Sequence, residues 1–157
     1  MGSVKGTDRT ESKPRLVGSP EEAAFLDLLR TSDMLSRSAV QVLKAEDLSS
    51  TQYNVLRILR GTPRGLACGE IADRMITRDP DITRLLDRLE RRDLITRWRD
   101  AQDRRVVMAR ITSQGLKLLV RLDEPVQDLH RRLLGHLGRQ RLRQLAELLE
   151  EARRQVV

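Results

Sequence analysis

Three arginines, Arg84, Arg88 and Arg91, recur at i, i+4 and i+7 in the run Asp79-Pro-Asp-Ile-Thr-Arg-Leu-Leu-Asp-Arg-Leu-Glu-Arg-Arg92. At about 100° per residue they share one side of a helix with Thr83 and Asp87 beside them, opposite an apolar stripe of Ile82, Leu85, Leu86 and Leu89. A guanidinium is a planar fork of donors that fits phosphate oxygens and the guanine edge, so such a face could read a nucleic acid. A second cluster follows in Asp103-Arg104-Arg105, with Arg97, Arg99 and Arg110 in the β-prone runs on either side. An extended arginine at a hairpin tip gains salt-dependent electrostatic energy in a narrow, strongly negative minor groove, and a neighbouring carboxylate can hold its guanidinium in position. Each cluster also has a plainer reading. Arg84 and Arg88 could pair with Asp81 and Asp87 on a solvated face, and the hairpin could be held by surface ion pairs of about a few tenths of a kcal/mol each.

The elements that must position these side chains can be read from caps and periodicity. Ser19-Pro20-Glu21-Glu22 looks like a helix start, and a long helix is expected from Pro20 to Leu43. Ser49 or Ser50 caps a second helix through Arg60, which Gly61-Thr62-Pro63-Arg64-Gly65 ends. A short helix is expected from Cys68 to Met75, then an Asp79-Pro80 start for a fourth helix reaching Arg92. Leu94–Arg99 and Arg105–Thr112 read as a β-hairpin across Asp100-Ala-Gln-Asp103. A long helical stretch begins at Thr112 or Ser113, with an interruption at Pro125, and a last helix runs from Arg139 to Val156. Three helices followed by a two-stranded wing make the winged helix plan. The predicted fold class is therefore mainly α with a small β-hairpin wing, a winged helix-turn-helix flanked by N- and C-terminal helices. The boundaries expected are a flexible arm at 1–19, an N-terminal helix at 20–47, a DNA-binding domain at 48–112 and C-terminal helices at 113–157.

Composition narrows the alternatives. The chain has 157 residues, 39% hydrophobic and 34% charged, enough for one globular unit with helical extensions. With a single Phe, Trp and Tyr, its core must come from Leu, Ile, Val and Ala, which favours helices. Net charge is +7, and residues 51–112 hold 14 Arg against 9 Asp and Glu, whereas residues 21–50 are acidic on balance. Only Lys5, Lys13, Lys44 and Lys117 among 30 basic residues are lysine. Arginine enrichment suits phosphates, and a GC-rich genome would produce it as well. No apolar run reaches the roughly 18 residues of a membrane span, and the N-terminal stretch lacks the apolar core of a signal peptide, so the expected location is the cytoplasm, with no membrane partner. A single cysteine, Cys68, rules out an intrachain disulfide, and a small buried hydrophobe is its expected role. His130 and His136, six apart, do not share a helical face, and no nucleophile–base pair or phosphate-cradling glycine loop is present. No catalytic residue, metal site or cofactor is expected.

The run from Leu48 to Gly115 resembles the multiple-antibiotic-resistance regulator (MarR) family. The matching pieces are Leu48-Ser-Ser-Thr-Gln-Tyr-Asn-Val-Leu, Glu70-Ile-Ala-Asp-Arg, Thr83-Arg-Leu-Leu-Asp-Arg-Leu-Glu, and Asp103-Arg-Arg-Val-Val through Ile111-Thr-Ser-Gln-Gly115. The last resembles the family's wing signature, with Ile111 where Leu is usual. With the flanking helices the resemblance extends over Pro20 to Val157. Two departures stand out: Asp93 replaces a usual Gly at the turn into the wing, and Arg78-Asp79-Pro80 is extra. Asp tolerates the left-handed conformation better than most residues, so the turn should survive.

The resemblance implies a homodimeric, sequence-specific transcriptional repressor on a pseudo-palindromic site in double-stranded DNA. It implies that Thr83, Arg84 and Arg88 sit in the major groove with Asp87 beside them, that Arg105 reaches the minor groove with Arg97, Arg99 and Arg104 nearby, and that Asp103 orients the wing. It also implies a dimer of intertwined terminal helices. Leu142, Leu145, Leu149, Ala152 and Val156 on the last helix, and Ala24, Leu28 and Leu35 on the first, supply suitable surfaces, which intrachain packing would use equally well. A small aromatic or phenolic effector would release the DNA from a crevice for which Asp33, Met34 and Tyr53 are candidate lining residues, although core packing explains them too. Some relatives sense oxidants through a cysteine near the first helix; Cys68 is elsewhere, so that mechanism does not transfer. A winged-helix protein-interaction module without specific DNA binding is the alternative.

Overall fold

A computed structural model describes residues 18–154, so most of the expected N-terminal arm, and Val156, lie outside the described residues. The element order is α1 (Pro20–Leu43), α2 (Ser50–Arg60), β1 (Leu66–Ala67), α3 (Cys68–Arg74), α4 (Ile82–Arg91), β2 (Ile95–Arg99), β3 (Val107–Ile111), α5 (Ser113–Leu134) and α6 (Gly138–Arg154). Single 3-10 turns follow α1 at Lys44–Glu46 and α5 at Gly135–Leu137. Among the described residues no helix is long and apolar enough to cross a membrane.

Packing divides the chain after Met34. In the first unit Ser19 caps α1, its hydroxyl accepting from Glu22 N–H at 3.2 Å. In the second, Ser49 caps α2 with a reciprocal pair: Ser49 Oγ accepts from Gln52 N–H (3.1 Å), and Gln52 Oε1 accepts from Ser49 N–H (3.0 Å). The core of this unit joins Val55, Leu56 and Leu59 of α2, Ile71 of α3, Leu85, Leu86 and Leu89 of α4, Ile95 and Ala109 of the sheet, and Leu118, Leu119, Leu122 and Val126 of α5. Three of the four stripe residues read from the sequence of α4 are fully inside, and Ile82 packs against the cluster's edge.

The wing is a three-stranded antiparallel sheet in the order β1-β3-β2, not a lone hairpin. Leu66 pairs with Ala109 on one side of β3, while Ile95 pairs with Ile111 and Arg97 with Ala109 on the other. The extra strand has two residues, too short to show any alternation. Gly65 enters it at φ +88°, where an added Cβ would meet Ala109 O at 2.8 Å and the Trp98 ring at 2.7 Å. At the other end of the wing, the glycine that closes the Ile111-Thr-Ser-Gln-Gly115 signature is also required. A Cβ on Gly115 would lie 2.3 Å from Leu94 O.

Three local expectations are corrected. The cap of α4 is Asp81, whose Oδ1 accepts from Arg84 N–H at 3.0 Å; Asp79 instead closes a turn by accepting from Asp81 N–H at 2.9 Å. Pro80 therefore precedes the cap and does not open the helix. Second, α5 runs unbroken through Pro125. That residue is on the exposed side of the helix, where water can solvate the Arg121 carbonyl it deprives of a donor, while Leu122, Val126 and Leu129 are buried. Third, the Asp103 carboxylate shapes the wing turn by accepting a backbone amide, not by holding a guanidinium.

Candidate nucleic-acid interface

The α4 helix ends in a motif that sets the wing's direction. Asp93 takes φ +54°, its N–H bonds Glu90 O (2.9 Å), and Leu94 N–H reaches back to Leu89 O (3.0 Å). This is the 6→1 and 5→2 pairing of a Schellman ending, with Leu94 and Leu89 both in the core. Asp93 fills the left-handed position usually given to glycine, as its side chain allows. Its carbonyl then accepts from Thr112 Oγ1 at 2.6 Å, tying the helix ending to the start of α5.

With one face of α4 committed to the core, Thr83, Arg84, Arg88 and Arg91 are left exposed. Arg84 is held by Asp81, Nε to Oδ2 at 3.2 Å, the pairing expected of a plain solvated face. Arg88 and Arg91 form no ion pair among the described residues. The Asp81 pair is an exposed i,i+3 contact of little energy, so it does not prevent Arg84 from turning to a phosphate.

Asp87 and Arg97 behave differently from their neighbours. Arg97, at the centre of β2, reaches back to α4 and donates from Nε (2.9 Å) and Nη2 (2.7 Å) to Glu90 Oε2, with Nη2 also bonding Asp87 Oδ1. The other oxygen of Glu90 accepts from the Arg97 backbone N–H at 3.0 Å. The Arg97 side chain is only 21% exposed, and its bonds to Glu90 first and Asp87 second hold it more firmly protonated than usual. This trio clamps α4 to the wing. Glu90 was not singled out in the sequence because nothing in its spacing distinguishes it from a solvated helix acid.

At the wing tip, Asp100 Oδ1 accepts from the N–H groups of Gln102 (2.8 Å) and Asp103 (3.0 Å). Asp103 Oδ1 accepts from Arg105 N–H (2.9 Å), so it shapes the turn rather than gripping a guanidinium as expected. Arg99 Nη1 donates to Arg104 O at 3.0 Å. The side chains of Arg99, Arg104 and Arg105 are exposed, and the two aspartates that might have neutralised the tip are engaged with backbone amides.

A separate open cavity of about 350 Å³ lies between α2, the C-terminal part of α1, the α3–α4 connection and α5. Ala39, Leu43, Val126 and Leu129 form apolar walls, and Ser50, Thr51, Tyr53, Asn54, Arg57, Thr77 and His130 add polar groups. Arg57 Nη1 donates to Tyr53 OH (3.2 Å), with its guanidinium 5.8 Å from that ring's centre. Of the three lining candidates, Tyr53 is on the cavity wall; Asp33 and Met34 are exposed residues of α1 outside its lining. Ser50, Thr51, Asn54 and Arg57 share α2 with Tyr53, whereas Thr77 and His130 come from segments far apart in the chain and carry no sequence signal. Cys68, half-buried at the start of α3, has its thiol pushed up by burial, the ordinary behaviour of a packed cysteine.

Comparison with known proteins agrees with this architecture. Residues 48–107 match the model of the MarR family. The structure of a MarR transcription factor from Planctomyces limnophilus is 43% identical over 86% of this chain and 98% of that one, with a TM-score of 0.67. The S. aureus MepR–DNA complex is 26% identical over 86% of this chain and 97% of that one, with a TM-score of 0.72. The homoprotocatechuate degradative operon repressor of Escherichia coli is 27% identical over 110 residues, 70% of this chain and 74% of the relative. The chain belongs to the MarR family, and is a DNA-binding transcriptional regulator of the winged helix-turn-helix type.

Proposed function

We propose that two copies of this chain repress transcription by binding a pseudo-palindromic operator, each copy placing α4 in a major groove and its wing in the adjoining minor groove. The observation that carries this reading is the division of α4: its leucines are committed to the core while Arg84, Arg88 and Arg91 stand exposed. Two recognition helices would lie about 34 Å apart, one helical turn of duplex. Thr83, Arg84 and Arg88 are assigned to base edges and nearby phosphates, and Arg99, Arg104 and Arg105 to the wing's contacts. Arg97 and Asp87 are assigned to positioning. The action is binding, not chemical turnover, and its place is the cytoplasm.

The cavity is the proposed effector site. Its apolar walls would take an aromatic ring, and Arg57, Tyr53 and His130 would meet a carboxylate or phenolic oxygen. A relative named for the operon that degrades homoprotocatechuate, a dihydroxyphenylacetate, makes that compound a reasonable first probe.

Selection of bound sequences from random duplexes, followed by fluorescence anisotropy across a salt series, tests the reading. Arg105→Ala should weaken binding to every sequence and reduce the log–log salt slope by about one. Arg88→Ala should relax preference at particular base pairs by about 1–3 kcal/mol. A wild-type protein that binds no duplex at low salt would turn the assignment toward a protein-interaction module, and unchanged base preference in Arg88→Ala would remove Arg88 from the reading set.

A further inference from the structure

The connection between α3 and α4 determines where the reading helix begins, yet little holds it. Met75 is buried in the core, but Ile76, the next residue, is 89% exposed, and the residues from Thr77 to Asp81 are largely solvent-facing. The Asp79–Asp81 turn is local to the connection. Beyond the packing of Met75, a hydrogen bond from Ile76 N–H to Asn54 Oδ1 on α2, at 2.8 Å, ties the connection to another element. Asn54 is half-buried about one turn from the start of α2 and flanked by core residue Val55, so its own backbone is fixed. The bond thus carries the rigidity of α2 to the residue from which the chain sets out toward α4.

Both partners of that bond, Asn54 and Ile76, also line the cavity, as does Thr77. We propose that Asn54 is the positioning residue for the DNA-reading helix, and that its bond to Ile76 is the point at which occupancy of the cavity reaches α4. The inference rests on the operator reading above and adds to it the residue through which that site is regulated. A ligand oxygen in the cavity competes for the same donor, and a ring against Ile76 and Thr77 displaces the segment that the donor anchors. Either event frees the start of α4 without touching Arg84 or Arg88. An α2 side chain, not a DNA contact, then controls affinity.

The test compares wild type, Asn54→Leu and Asn54→Asp in the full chain, using an operator selected with wild type. Leucine has the same number and branching of side-chain heavy atoms and no acceptor; aspartate keeps an oxygen at the same position. In Asn54→Leu, amide exchange at Ile76, followed by NMR, should accelerate several-fold while Val55 and Leu56 keep wild-type protection. Operator affinity should fall about three- to tenfold, as loss of one ordinary hydrogen bond implies. Asn54→Asp should return Ile76 exchange toward wild type, which a general packing defect at position 54 would not allow. Unchanged exchange, or faster exchange with wild-type affinity in Asn54→Leu, overturns the inference while leaving the operator reading intact. A wild-type protein that binds no DNA overturns both.

Discussion

Asp100 and Asp103 show how carboxylates can shape an arginine-rich loop without neutralising it. Neither takes a guanidinium from the wing tip; both accept backbone amides and thereby fix the turn that presents Arg104 and Arg105. The amides of Asp103 and then Gln102 hold the Asp100 carboxyl below the usual carboxylate range. The sign follows from linkage. A depressed folded-state pKa means that the turn's stabilisation is complete above the ordinary carboxylate range and is lost as pH falls through the lower, folded value. The Gln102 and Asp103 amide resonances should therefore titrate below the range of an ordinary aspartate, and Asp100→Ala should broaden them at neutral pH. Asp100→Ala should also weaken operator binding by a few fold, whereas Asp100→Asn, which keeps an acceptor, should stay close to wild type. Titration in the ordinary range would mean that the amide bonds do not persist in solution. Cys68 illustrates the opposite influence at the same scale. Burial keeps its thiol protonated, so nucleophilic reactivity at neutral pH is suppressed.

Between elements, the most directional contact joining α4 to the wing is the one Arg97 makes. A helix and a sheet strand meeting through core leucines can still pivot, because dispersion contacts are non-directional. A guanidinium fork on two carboxylates is directional, and it spans the joint between α4 and β2. Arg97→Gln should lower stability by about 1–3 kcal/mol and weaken operator binding, yet leave the salt slope unchanged, because no phosphate contact is lost. In a cycle with Glu90→Gln the two effects should couple rather than add. A reduced slope in Arg97→Gln would instead return Arg97 to the set of phosphate contacts. This clamp was the least legible part of the site. Arg97, Arg99 and Arg105 look alike in the chain, and only the fold separates an arginine beside Glu90 from one at the tip. The elements themselves were far more legible. The Ser49 cap, the leucine stripe of α4 and the left-handed Asp93 are governed by residues within about one turn of each other. Where tertiary packing competes with local preference, the local signal misled. The buried side chains around Pro125 outweigh its helix-breaking penalty of about 3 kcal/mol, and β1 exists only because β3 offers it an edge.

For the molecule as a whole, the unresolved energetic problem is α6. It spans Gly138–Arg154, and among its described residues none is buried. A helix of 17 residues is marginal in water by itself, since nucleation is costly and stability normally comes from packing an apolar face. That face exists: Leu142, Leu145 and Leu149 recur at i, i+3 and i+7, with Leu148 beside them at 64% exposure. In the first unit, α1 likewise exposes Phe25, Leu28 and Leu29. Burying a leucine is worth about 1.5–3 kcal/mol, and a twofold contact counts each substitution twice. Leu145→Asp with Leu148→Asp should thus convert the particle in sedimentation from about twice the 18.0 kDa chain mass to a single chain. The winged domain should keep its fold, because neither residue belongs to its core. Operator affinity should then drop by about a hundredfold or more, since the second half-site is no longer held near by the first. Binding of one half-site should persist with its salt dependence, because Arg84, Arg88 and Arg105 are untouched. If the double variant sediments like wild type, α6 is not the joining surface, and the exposed residues of α1 become the place to look.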